Sequence, residues 1–278
     1  PLVTLADRFG ARWTGPRQVT FFLPNYEIDY FFRSTSALVV AFDHMLPLDT
    51  PPPDCRLGWA SRFLKRKGIS ALHVKPRENC WYRRPDLEEF FRALDESGLA
   101  VHFDTVMTYG SSMGGFGALS FARLVGARRC LALNPQVDLG PSVRAWEKRF
   151  RAALREDWTS ELCDVSRQIA SVETVAVAYD PYFELDRRHV ELLPNSHLIH
   201  LRLPFVAHNL PYLLVAMRVA ETVFDACLDG TLSEAGFRRL ARRRRQLLRW
   251  RNNLLERSEG RPKFVRIIEA RAGTLGIA

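Results

Sequence analysis

Short apolar runs rich in β-branched residues alternate along this chain with longer stretches whose apolar positions recur at helical spacing. The short runs predict strands at 19–23, 36–42, 69–74, 105–109, 129–133, 174–178 and 197–203. The helical spacing predicts helices at 57–67, 85–97, 116–125 and 184–193. Strands that alternate with helices pair in parallel, with helices covering both faces. Ala37-Leu38-Val39-Val40-Ala41-Phe42 shows almost no polar alternation, as a strand buried on both sides requires. The expected fold class is therefore α/β, a doubly wound and mostly parallel sheet.

One junction in this pattern carries candidate chemistry. The run 104–109 is a strand, and the helical pattern at 116–125 follows it through Gly110-Ser111-Ser112-Met113-Gly114-Gly115. A strand that runs straight into a helix strains the residue at the bend, and glycines two positions to either side let neighbouring backbones pass. Ser112 sits at the centre of that G-x-S-x-G frame. Ser111 does not, because Tyr109 and Met113 stand where its glycines would be. The frame lifts the Ser112 hydroxyl to the carboxyl edge of the sheet. It also aims the backbone N–H of Met113, in the first helical turn, at any oxyanion formed there. A glycine-rich turn without chemistry has the same local pattern, so partners decide.

Serine is a poor nucleophile at neutral pH, and needs an imidazole to take its proton and a carboxylate to orient that imidazole. Val175-Ala176-Val177-Ala178-Tyr179 ends in Asp180-Pro181, and beyond the last predicted strand a loop holds His208. The order is serine, aspartate, histidine, each after a later strand. Of the seven histidines, His208 alone both follows the acid and leaves the carboxyl end of a strand. Asp180 is the expected acid. Asp186 is its rival, although a carboxylate in the first turn of a helix is also explained by the helix dipole.

With these residues in place, the chain resembles the serine α/β-hydrolases over about 19–229, and the run 110–119 is similar to the S-M-G-G-x-G-A-L signature of the esterase D branch. That branch includes S-formylglutathione hydrolases and related acyl esterases. The elbow is also similar to the Y-G-S-S-M-G-G elbows of a group of small bacterial hydrolases, some associated with surface-polysaccharide modification. The resemblance implies cleavage of a carboxylic ester or thioester through an acyl-enzyme on Ser112, with no metal or organic cofactor. It implies a second oxyanion N–H from the loop Asp43-His44-Met45, given by His44 or Met45, with His44 taken first. It also implies that residues 134–173 form a small cap. Within that insertion Trp146-Glu147-Lys148-Arg149-Phe150-Arg151 suggests part of an amphipathic helix. Its basic residues Arg144, Lys148, Arg149 and Arg151 either meet an anionic substrate or form a solvated face. Trp81 and Tyr82 either wall the pocket or pack in the core.

The 278 residues suit one α/β domain. Five cysteines, scattered without metal-ligand spacing, suit a reducing compartment, and the cytoplasm is the expected location. Charge divides the chain at about 229. Residues 230–278 hold thirteen Lys and Arg against four Glu, a surplus equal to the whole net charge of +9. The basic tail has an apolar stripe of Phe237, Leu240, Ala241, Leu247, Leu248, Leu254 and Leu255, with most arginines off it. It docks that stripe on the body, pairs with a protein partner, or lies on an anionic membrane surface. Nucleic acid is the least expected partner, because no recognised binding platform accompanies the charge. The substrate is expected to be a small molecule. Every expected catalytic residue precedes 229, so a chain ending there is expected to stay active. From another class, the competing reading is a non-catalytic α/β-hydrolase scaffold in a surface-glycan or membrane-associated assembly.

Overall fold

The computed structural model describes residues 2–194 and 197–274. Asn195, expected to help close a helix, and the last four residues of the tail lie outside them. The described residues build one nine-stranded sheet in the order β1-β2-β3-β5-β4-β6-β7-β8-β9. The strands are β1 (Ala11–Gly15), β2 (Gln18–Phe22), β3 (Tyr26–Phe31), β4 (Leu38–Phe42), β5 (Ser70–Pro76), β6 (Val106–Ser111), β7 (Arg129–Leu133), β8 (Thr174–Tyr179) and β9 (Leu198–Arg202). From β5 through β4 to β9 every pairing is parallel, and β1, β2 and β3 extend the sheet as antiparallel ribbons. The helices are α1 (Leu2–Phe9), α2 (Ser61–Arg66), α3 (Pro85–Glu96), α4 (Met113–Ser120), α5 (Val165–Ile169), α6 (Glu184–Glu191), α7 (Leu210–Ala216), α8 (Ala220–Leu228), α9 (Glu234–Leu240), α10 (Leu248–Glu256) and α11 (Pro262–Thr274). The α/β doubly wound expectation stands.

Two apolar layers hold the sheet. Phe90 of α3, Phe116 of α4 and Ile169 of α5 bury against one face. Leu64 of α2, Leu213 of α7, Phe224 of α8 and Phe237 of α9 bury against the other. All five residues of β4 are buried and apolar, which is why it does not alternate in sequence; all seven of β5 are buried too, among them Ser70, His73 and Lys75.

The sequence pattern missed β1 and β3 for different reasons. β1 is a largely exposed edge with little apolar signal. β3 carries Glu27 and Asp29 inside the sheet, where the Lys75 ammonium of β5 meets their carboxylates at 2.6 and 2.7 Å. Charges paired across strands hide a buried strand from a hydropathy reading.

The insertion is mostly irregular chain. Residues 146–150 form a turn and irregular backbone, and a short 3₁₀ helix begins only at Arg151, so the expected amphipathic helix is not formed. Glu147 and Arg149 are drawn inward to buried charged partners instead of lining a solvated helix face. Most of the tail's apolar stripe packs on the body, with Phe237 and Ala241 buried in the layer under β9, while Leu248 stays exposed.

Candidate active site

Ser112 follows the last residue of β6 and stands at the N-cap of α4 with φ 55° and ψ −119°, a conformation rare outside glycine. Close backbone approach fixes this bend. A Cβ on Gly110 would lie 2.1 Å from the Gly114 carbonyl oxygen, and one on Gly114 only 2.3 Å from the Phe42 oxygen. The two glycines therefore let α4 press against both β6 and the end of β4. The helix proper starts at Met113, three residues before the predicted start, so the Met113 amide belongs to the first, unpaired turn.

The loop after β4 faces that amide. The Asp43 carboxylate accepts from the Trp59 amide at 2.6 Å and pairs with Arg56, while the Tyr82 hydroxyl donates to the Asp43 carbonyl at 2.5 Å. Burial raises the Asp43 carboxyl above its usual range against the pull of Arg56. His44 follows, its ring edge-on to Trp59 at 5.5 Å, and burial keeps the imidazole below its ordinary pKa. Trp81 and Tyr82 are buried core residues rather than pocket walls, with Tyr82 bracing this loop.

Histidine and acid come together on the serine as follows. The Ser112 Oγ lies 2.9 Å from His208 Nε2, and His208 Nδ1 lies 2.8 Å from Asp186 Oδ2. Asp180, the expected acid, is not at the imidazole. Its carboxylate instead accepts from the backbone amides of Tyr182, Val206 and Ala207 at 2.8 to 2.9 Å. This corrects the choice between the two. β8 stops at Tyr179, and the chain makes a turn before α6 carries Asp186, fully buried, to the imidazole. Asp180 staples the base loop, in which Phe205 and Ala207 both have positive φ.

Three supports were not foreseen. The first is the turn after β7. Asn134, at φ 36°, sets its amide nitrogen 3.1 Å from both ring nitrogens of His208, and Gln136 Oε1 lies 3.2 Å from the Ser112 Oγ. Both side chains are buried. The signal available in sequence was position: Asn134-Pro135-Gln136 leaves the carboxyl end of a central strand.

The second lies behind the acid. Arg149 of the cap donates to Asp186 Oδ1 at 2.9 Å and pairs with Glu147 at 2.6 Å, and Glu147 meets His189 Nε2 at 3.1 Å. The Val137 amide donates to His189 Nδ1, so Nε2 carries the proton and His189 is neutral. Burial, which lowers the His189 pKa, agrees with that tautomer. The Glu147 carboxyl falls to about 2: burial opposes ionisation, but the hydrogen bonds from His189 and Arg149 prevail. Asp186, Glu147 and Arg149 thus sum to a single negative charge, which complements an imidazolium forming at His208. Arg144, Lys148 and Arg151 remain exposed.

The third is the tail. Trp250 Nε1 donates to the Pro204 carbonyl at 2.7 Å, Asn253 Nδ2 to the Phe205 carbonyl at 3.2 Å, and Arg257 to the Tyr182 carbonyl at 2.7 Å. Phe205 stacks on Tyr182 at 4.8 Å. α10 therefore clasps the two loops that carry the base and precede the acid.

Fold and site together define a chain with the α/β-hydrolase architecture and a serine at the strained turn between β6 and α4. No protein-family model matches the chain, and no curated protein matches it. Solved structures match in fold. The capsule O-acetyltransferase of Neisseria meningitidis serogroup A is similar with a TM-score of 0.53 at 14% identity, over 79% of this chain and 99% of that one. FphF, a fluorophosphonate-binding serine hydrolase of Staphylococcus aureus, gives 0.50 at 12% identity, over 75% and 98%. The Gap123 glycosylation-associated protein complex of Streptococcus agalactiae gives 0.51 at 14% identity, over 75% of this chain and 46% of that one. Among the described residues, no helix is long and apolar enough to cross a membrane.

Proposed function

We propose that this chain is a serine esterase or thioesterase that works through an acyl-enzyme. The observation that carries the reading is the hydrogen-bonded series Ser112–His208–Asp186, at 2.9 and 2.8 Å, on a strained elbow. Ser112 Oγ attacks the acyl carbon while its proton passes to His208 Nε2. Asp186 holds Nδ1–H and stabilises the imidazolium. The Met113 amide, with the amide of His44, receives the oxyanion. Collapse expels the alcohol or thiol, which takes the proton from His208. Water then attacks the acyl-Ser112 ester by the same route, releases the carboxylic acid and restores the hydroxyl.

The same acyl-enzyme would pass its acyl group to a hydroxyl acceptor, as the name of the Neisseria capsule O-acetyltransferase describes for that protein. A complete relay weighs against a purely non-catalytic scaffold. The five cysteines stand unpaired, in keeping with a reducing compartment, and the cytoplasm is the location proposed. With the tail's stripe docked, its exposed arginines face outward, and their proposed partner is an anionic surface. Cosedimentation with anionic vesicles over a salt series tests that point.

The test of the chemistry is labelling with a fluorophosphonate and mapping of the adduct. A single adduct on Ser112, together with hydrolysis of p-nitrophenyl acetate that Ser112→Ala abolishes, is the expected result. An adduct on Ser111, or none in folded protein, would overturn the assignment.

A further inference from the structure

A cavity of about 610 Å³ lies on the α2 face of the sheet, between α2 and the turn from α7 to α8. Its volume falls within the range of small-molecule sites, and its wall is the apolar kind such sites use. Trp59, Phe63, Tyr109, Leu133 and Leu214 form that wall. Toward the end of α2, Arg66 pairs with Glu221, and Arg218 stands exposed; the Trp59 indole and the Tyr109 hydroxyl are the polar groups within the wall.

Three contacts tie the other end of this groove to the site. The Leu133 carbonyl accepts the Ser112 amide at 2.9 Å. Trp59 packs on the His44 ring and its amide anchors Asp43, so the wall is continuous with the oxyanion loop. Pro211, also in the lining, lies three residues beyond His208 in the first turn of α7. The groove runs away from this end along α2, from Trp59 to Arg66. A short acyl group would leave most of it unfilled.

The geometry points to this groove as the acyl-chain site of the enzyme, so that its substrates are esters or thioesters of medium-length, unbranched fatty acids. The inference rests on the serine-esterase reading. The groove offers apolar surface and few hydrogen-bonding groups along its length. A hydrocarbon chain gains by burying its methylenes there, whereas a sugar or a charged acyl group would leave hydroxyls or charge unpaired.

The experiment is a chain-length series, p-nitrophenyl acetate through octanoate, on the wild type, Val215→Trp and Thr222→Trp. Both positions line the groove from its exposed side, so a large ring there fills the groove with little demand on the core. Wild type is expected to prefer octanoate over acetate in kcat/KM by at least tenfold. The octanoate-to-acetate ratio is expected to fall at least tenfold in both variants, while a small fluorophosphonate still labels Ser112. A ratio that the substitutions do not move, or a wild type that gains nothing from the longer chain, overturns the groove assignment. Failure of Ser112 to react in wild type counts against the esterase reading instead. Calorimetry with sodium octanoate then decides the groove by itself: binding to wild type that Val215→Trp abolishes supports it, and no binding overturns it.

Discussion

The proposed nucleophile and its proposed acid–base partners are built in opposite ways. The bend at Ser112 is encoded mainly by its neighbours, two glycines, a strand and a helix within a dozen residues, and is closed by backbone contacts within the turn and to Phe42 of β4 that any side chain would break. His208 and Asp186 sit on loops whose shape depends on distant chain. Asp180 ties down the base loop, Arg149 and Glu147 of the cap flank the acid, and α10 of the tail grips both loops from behind. A nucleophile encoded locally can be read from a short motif. A relay held by three separate segments cannot.

The largest effect expected is at the local half. Ser112→Ala should lower kcat by on the order of 10⁶ and leave the thermal midpoint nearly unchanged, as calorimetry beside an ester assay would show. Equal residual activity would mean that another group attacks.

The distant half should fail when its supports go. A chain ending at Asp229 keeps Ser112, Asp186 and His208 but loses the Trp250, Asn253 and Arg257 bonds to the loops at 182 and 204–205. It also uncovers the layer that Phe237 and Ala241 seal. These contacts replace the expectation that such a chain stays active with the prediction that its kcat falls. Trp250→Phe separates the two consequences, because it keeps the packing and removes only the hydrogen bond to Pro204. Its kcat should fall about tenfold for one lost buried bond of about 1.4 kcal/mol, with Ser112→Ala as the baseline. An unchanged kcat would make the tail mere cover.

A smaller effect tests the cap. The folded state holds the Glu147 carboxyl down to about 2. Its contribution to stability is therefore present above the unfolded carboxylate pKa of about 4.3 and is lost as pH falls toward the folded value. Glu147→Gln should flatten the acid limb of a stability–pH curve between those limits. A curve parallel to wild type there would show that the cap cluster does not support the acid.

The same contrast explains what the sequence disclosed. The parallel strands were legible because full burial makes them continuous apolar runs, as in Leu38–Phe42. β3 was not, because Glu27 and Asp29 answer Lys75 on a strand far along the chain. Ser112, His208 and the Met113 amide were picked out from order and local geometry, and the structure sets Ser112 Oγ 2.9 Å from His208 Nε2. Asp180 and Asp186 did not separate, since both are buried carboxylates after β8 and only the fold shows which one the imidazole meets. Arg149 looked like a solvated face until its partners, Asp186 and Glu147, were in place.

The claim that Asp186 serves the relay while Asp180 holds the loop is tested most directly by Asp186→Asn and Asp180→Asn side by side. The measurements are the rate of fluorophosphonate labelling at Ser112 and the unfolding free energy. The account predicts that Asp186→Asn slows labelling by orders of magnitude with modest loss of stability. It predicts that Asp180→Asn, which weakens three backbone hydrogen bonds, costs about 1–3 kcal/mol and slows labelling far less. Fast labelling in Asp186→Asn with slow labelling in Asp180→Asn would contradict it.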